Sequence, residues 1–206
     1  MRPLTERWPK PILPIDGRPV IATLMQSLRA AGCTRATVVT GHLAEQVEEL
    51  LGDGSGFGIQ IRYVRQPQAD GSADVVRRAL TAGAEPPLLV VGADHVFAAG
   101  TIERFGAEWG GAAGAVGARE GGPPIDARLA GAFANAAGLT GVPLWIVGAP
   151  IVPFLDDLPG PPFELADAFG RALAAGVDVR GIVVAGTRDL THPVDVIEEN
   201  FPYLNR

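Results

Sequence analysis

The sequence predicts an α/β fold, with a mostly parallel open sheet and helices on both of its faces. Three observations predict it. Helix-period and strand-period segments alternate from residue 19 to residue 92, the order of strands joined by covering helices. Several strand candidates are short, nearly continuous apolar runs, as in sheets buried on both sides. The residues able to carry chemistry cluster at the ends of these runs, where open α/β sheets bind ligands. A length of 206 residues suits one such domain, and no linker or internal repeat divides residues 1–206.

The elements follow in order. Over residues 19–31, Val20, Ile21, Leu24, Leu28 and Ala31 recur at three- and four-residue spacing. Pro19 suits the first turn and Gly32 the exit, so this is a helix with one buried face. Residues 37–40 form a short buried strand, and residues 43–51 a second amphipathic helix stopped by Gly52. Residues 59–64 alternate apolar and polar side chains, the period of a strand. A helix over 72–82 and an apolar strand over 88–92 come next, and right-handed crossovers place the helices on both faces. Beyond them the pattern is fainter. It predicts a Gly/Ala-rich strand within 110–118, a loop over 119–124, a strand over 144–147, a helix over 165–175, a strand over 179–184 and a terminal helix over 193–204.

Composition narrows the function. A formal net charge of -6, from 17 Lys and Arg against 23 Asp and Glu, argues against a general affinity for nucleic acid. A phosphorylated small molecule remains open, because it needs only one pocket with a few cationic or N–H groups. The single Cys33 excludes an intramolecular disulfide and a cysteine zinc site, and suits a reducing cytoplasm. The first ten residues lack the apolar stretch of a signal peptide, and no apolar run approaches the roughly 20 residues of a membrane span.

Four stretches can carry chemistry. Prolines 9, 11 and 14 crowd Lys10, giving either a rigid loop that holds an ammonium against a phosphate or a proline-rich connection with a solvated lysine. Between Gln66 and Ser72 a strand ends and a helix begins, with Ser72 as its N-cap. Gly71 would let a ligand approach the backbone, the helix start favours anions, and the Gln66 amide could read a nucleobase. An ordinary strand-to-helix turn is the alternative there. Asp94 ends the apolar run 88–92 and is either a ligand for a hard cation such as Mg²⁺ or a helix cap. His95 beside it reads as structural. A second acidic stretch, residues 186–195 with Asp189, also follows an apolar strand, so Asp189 could meet Asp94 across one site. The glycine-dense 52–58 stretch precedes a strand and matches neither the dinucleotide fingerprint nor the Walker A spacing. It reads as a connector.

Taken in order, Pro3-Leu4-Thr5, Trp8-Pro9-Lys10-Pro11-Ile12-Leu13-Pro14, Gly71-Ser72-Ala73, Asp94 and Asp189-Leu190-Thr191-His192-Pro193 resemble the sugar-phosphate nucleotidyltransferases. These include glucose-1-phosphate thymidylyltransferases and mannose-1-phosphate guanylyltransferases. The resemblance implies a Rossmann-like, GT-A-type fold and transfer from an NTP to a sugar 1-phosphate, yielding an NDP-sugar and pyrophosphate. It assigns Lys10 to phosphate, Gln66, Gly71 and Ser72 to the nucleotide, and Asp94 and Asp189 to Mg²⁺. A homo-oligomer is left open, and His192 receives no role.

Two departures accompany it. The family's first strand and glycine-rich phosphate loop precede the proline-leucine-threonine segment, and here Met1 stands at that loop's last residue. The expectation is therefore a first strand missing from this sequence, with poor solubility and little activity for the chain as it stands. The second departure is at 119–124, where no counterpart of the family's sugar-phosphate segment is legible. A non-catalytic homologue that binds nucleotide or sugar phosphate is the alternative reading.

Overall fold

A computed structural model describes residues 4–185 and 187–200. Pro3 of the resemblance, Gly186 and the 201–204 part of the expected last helix lie outside the described residues. In chain order the elements are α1 (Leu4–Arg7), β1 (Pro14–Ile15), β2 (Arg18–Pro19), α2 (Val20–Ala30), β3 (Arg35–Thr40), α3 (Ala44–Leu51), β4 (Gln60–Arg65), α4 (Ser72–Thr81), β5 (Leu88–Val91), β6 (His95–Phe97), α5 (Thr101–Trp109), β7 (Gly114–Glu120), β8 (Leu139–Val147), α6 (Leu165–Ala174), β9 (Val179–Val183), β10 (Thr187–Asp189) and α7 (Pro193–Asn200). The chain folds into two compact units, each assembled from separate segments.

The first unit holds residues 1–67, 92–103 and 186–206. Its β3 and β4 pair in parallel, Arg35 opposite Gln60 through Thr40 opposite Arg65. The predicted face of α2 is the buried one: Val20, Ile21, Leu24, Met25 and Leu28 are each at most 9% exposed. Gly32, at φ 88°, ends α2; its N–H bonds the Arg29 carbonyl while Cys33 N–H reaches back to Leu28, the double bond of a Schellman motif. Asp16 and Gly17, both at positive φ, turn β1 into β2 as a hairpin, the geometry Asp-Gly favours. Val20, Ile15 and Leu190 share a small core with Val96 and Val196 packed on it. Asn200 ties α7 to the hairpin by accepting from Asp16 N–H at 2.9 Å and donating to the Pro14 carbonyl at 3.0 Å.

Residues 68–91 and 104–185 form the second unit. Its four-stranded sheet has the order β5-β8-β7-β9. Both β5 and β7 run antiparallel to β8, whereas β7 and β9 are parallel. The α/β class thus holds, with a mixed sheet in this unit: the 18 residues between β7 and β8 return by short 3₁₀ turns, without a crossover helix. The core is built from Val116, Val147, Leu165, Phe169 and Val179 among others, with the Trp145 and Phe169 rings 5.1 Å apart. Strand β8 covers nine residues against the four expected, and β7 begins four residues later than the expected 110–118 span and runs two residues past it. Helix α5 and strands β6 and β10 have no counterpart in the sequence reading. Among the described residues no helix is long and apolar enough to cross a membrane.

Ser72 is not the cap of α4. Gly71 takes that place, at φ 100°, and Ser72 is already helical. The Ser72 hydroxyl serves α6 instead, accepting from Leu165 N–H at 2.8 Å and donating to the Glu164 carboxylate at 2.5 Å. Gly71 has its own constraint, because a Cβ there would lie 2.2 Å from the Phe163 carbonyl oxygen. No L side chain fits at this position without moving that backbone.

Candidate active site

The sequence folds Lys10 into a single 3₁₀ turn, Lys10–Ile12, because Pro9 and Pro11 fix φ on both sides of it. Backbone bonds of 3.1 Å from Ile12 N–H to Pro9 and from Leu13 N–H to Lys10 close the turn. The side chain is thereby left to point away, and its Nζ donates to Asp94 Oδ2 at 3.2 Å. Both side chains keep about a third of their surface exposed, 33% and 36%, so the pair is open to solvent.

Asp94 follows β5 across Gly92 and Ala93, and β6 begins at the next residue. Antiparallel pairing of β6 with β10 sets Asp189 opposite His95, Arg188 opposite Val96 and Thr187 opposite Phe97. Leu190 N–H bonds the Asp94 carbonyl at 3.3 Å and continues the ladder by one step. The two carboxylates, 95 positions apart in sequence, therefore meet in the first unit. Thr191 donates to Asp189 Oδ2 at 2.6 Å and fixes that carboxylate. His95 is 6% exposed, its ring against Phe97 with centroids 5.5 Å apart. Its Nδ1 lies 3.9 Å from Asp189 Oδ1.

Donor atoms of Asp94, His95 and Asp189 all lie within 4.8 Å of one another. Octahedral ligands at roughly 2.0–2.1 Å stand about 3 Å apart when adjacent and about 4 Å when opposite, so small side-chain movements suffice to enclose a divalent ion. Two carboxylates are the hard oxygen donors that Mg²⁺ takes, and the Lys10 ammonium now beside Asp94 is a cation already drawn to the same charge. The donor set fits the ion.

The other residues singled out in the sequence fall elsewhere. Gln66 is half-buried just past β4, and its N–H donates to the Thr40 carbonyl at 2.8 Å. Gly71 and Ser72 belong to the second unit and make the local contacts described above. His192 is largely exposed: its N–H donates to Asp195 Oδ2 at 2.5 Å and its ring Nδ1 lies 3.7 Å from the same oxygen, with Pro193 at the first position of α7. The Asp195 carboxylate thereby makes one half of a capping box. The sequence reading missed His95 and Thr191 as parts of the site. The signal available was the alternation of His95, Val96 and Phe97, whose outer members are buried and whose middle one is half-exposed.

A family model described as nucleotidyl transferase matches residues 1–108, which hold Lys10, Gln66, Gly71, Ser72, Asp94 and His95. The chain belongs to this family. Among curated nucleotidyltransferases, the N-acetylmuramate alpha-1-phosphate uridylyltransferase of Neisseria meningitidis serogroup B is 40% identical over 96 residues, covering 46% of this chain and 41% of that one. The UTP–glucose-1-phosphate uridylyltransferase of Synechocystis is 43% identical over 63 residues, 31% of this chain and 16% of that one. The chain spans less than half the length of these curated relatives. Among solved structures, a UDP-glucose pyrophosphorylase complexed with UDP-glucose superposes with a TM-score of 0.78 at 16% identity, covering all of this chain and 94% of that one. That likeness shows the nucleotidyltransferase's Rossmann-like fold.

Proposed function

We propose that the protein transfers a nucleotidyl group from an NTP to a sugar 1-phosphate, forming an NDP-sugar and releasing pyrophosphate. The observation that carries the proposal is the Lys10–Asp94 pair with Asp189 beside it, a cation and two carboxylates gathered from three distant segments. In this reading a phosphate oxygen of the sugar 1-phosphate attacks the α-phosphorus in line, and the bond to pyrophosphate breaks. The attacking oxygen is already ionised at neutral pH, so the chain needs no general base.

What the chain supplies is position and charge. Lys10, held by its proline-flanked turn, moves from Asp94 onto a phosphate oxygen and neutralises it. Asp94 and Asp189 would hold Mg²⁺, which would offset the negative charge of the phosphates. Thr191, donating to Asp189 Oδ2, fixes the orientation of that carboxylate. Gln66 is assigned to the base edge, and Gly71 and Ser72, at the start of α4, to the nucleotide. A cytoplasmic setting fits the lone Cys33.

Pyrophosphate release with a panel of NTPs and sugar 1-phosphates, with Mg²⁺ present, tests this reading. Turnover with at least one pair is expected, and Asp94→Ala or Asp189→Ala abolishes it. Nucleotide binding without turnover on any pair would establish the non-catalytic homologue instead. Full activity in either aspartate variant would remove the metal assignment.

A further inference from the structure

We propose that Lys10 is a stand-in cation: its ammonium holds Asp94 until a phosphate draws it off, so that the carboxylate is released to a divalent ion only together with a phosphorylated ligand. The inference rests on the metal reading above and adds an order of events to it. Its first basis is the exchange that the geometry leaves open. Among the described residues the Lys10 Nζ has one hydrogen-bond partner, Asp94 Oδ2 at 3.2 Å. An ammonium can donate in more than one direction at once, so N–H groups remain for a second oxygen. With both side chains about a third exposed, the pair is worth little net, and a better acceptor can take the ammonium. Asp189 needs no such occupant, because Thr191 already donates to its Oδ2 at 2.6 Å.

Composition supplies the second argument. Lys10 is the sole lysine among the 17 lysine and arginine residues of the sequence; all the others are arginine. A guanidinium is a rigid fork that grips a carboxylate through paired parallel bonds, whereas an ammonium is a point charge with freely turning donors. At Asp94 an arginine would close both carboxylate oxygens, but the lysine holds one and can let it go. The turn keeps that release local. Pro9 and Pro11 fix φ on either side and main-chain bonds close it, so the flexible side chain alone carries the change. Such coupling is reciprocal, so phosphate and divalent ion raise each other's affinity by the same factor.

The sole lysine makes the test direct, because isotopic labelling of lysine in the full chain gives a single side-chain NMR signal. Asp94→Asn should move that signal and so mark its paired position. In the wild type it should stay put with millimolar Mg²⁺ alone and move when inorganic pyrophosphate is added with Mg²⁺. Affinity gives the second readout. Mn²⁺, an EPR-visible substitute for Mg²⁺, should bind Lys10→Met without phosphate about tenfold more tightly than wild type, since a nearby positive charge is gone. Lys10→Arg, which keeps the charge, should bind it no more tightly than wild type. A lysine signal that moves with Mg²⁺ alone, or stays paired while calorimetry shows Mg²⁺-pyrophosphate bound, overturns the exchange and leaves the two-aspartate centre standing. Equal Mn²⁺ affinity in wild type and Lys10→Met does the same. The wild-type lysine signal decides the matter even if Lys10→Met fails to fold. Mn²⁺ binding that survives unchanged in both Asp94→Asn and Asp189→Asn overturns the metal reading, and this inference with it.

Discussion

Replacing Lys10 by Met separates catalysis from stability. At 3.2 Å and an effective dielectric of about 20, the Lys10–Asp94 attraction is roughly 5 kcal/mol before any opposing cost. Both groups are about one-third exposed, so solvent screening, desolvation and side-chain ordering reduce the net stabilisation to about 0–1 kcal/mol. The turn that carries Lys10 is closed by main-chain bonds and by two prolines, which the substitution leaves intact. Melting should thus fall by no more than about 2–4 °C for a chain of this size. The loss in the transition state is larger, because a positioned charge on the reacting phosphates is typically worth about 100- to 1,000-fold in rate. The assay is pyrophosphate release beside a thermal melt, with Lys10→Arg included as a cation of different shape, expected to recover only part of the rate. A Met variant within about threefold of wild-type kcat/KM would refute the reasoning. So would a melting drop near 10 °C, which would make Lys10 a structural residue.

Gly71→Ala should be costly, since a positive φ and a backbone contact at 2.2 Å together amount to about 2–5 kcal/mol; Gly56→Ala, with open space around it, is the matched control. Urea melts with equal midpoints for the two variants would contradict this. Ser72→Ala removes the hydroxyl that joins Glu164 and Leu165 N–H and should cost about 1 kcal/mol. Amide exchange should quicken in the first turn of α6, and unchanged protection there would show that the hydroxyl is dispensable. Arg128 hydrogen-bonds the Asp126 carboxylate and holds its pKa below the ordinary 3.8. A lowered carboxylate pKa stabilises the fold above the unfolded value and loses that contribution as pH falls through the folded one. The melting temperature should therefore decline below about pH 4, and less steeply in Asp126→Asn; identical acid limbs would rule the pair out as a source.

Much of this architecture was legible because periodicity reports burial. Val20, Ile21, Leu24 and Leu28 line the buried face of α2, and β3, β4 and β5 lie within two residues of their predicted spans. The sequence also singled out Lys10, from the prolines around it, and Asp94 and Asp189, from the apolar runs they follow, and the fold brings donor atoms of these three close together. The short elements were not. A three-residue strand such as β6 or β10 is too brief for an alternation to stand out, and its pairing depends on a partner some ninety residues away. Asp16-Gly17 carried a hairpin signal, but two-residue strands leave no flanking pattern to confirm it. Ser72 misled for a different reason. Serine before an apolar run reads as a local cap, and nothing local reveals that its hydroxyl is taken by Glu164 and Leu165.

The β6–β10 ladder also sets a timetable. On the ribosome, Lys10 and Asp94 emerge long before Asp189, and β6 must wait through the synthesis of every residue from 98 to 186 before its partner exists. A nascent chain can complete most of the second unit's sheet in that interval, yet it cannot assemble the acidic centre. Whatever activity the centre has is thereby withheld from unfinished polypeptides until this long-range contact closes.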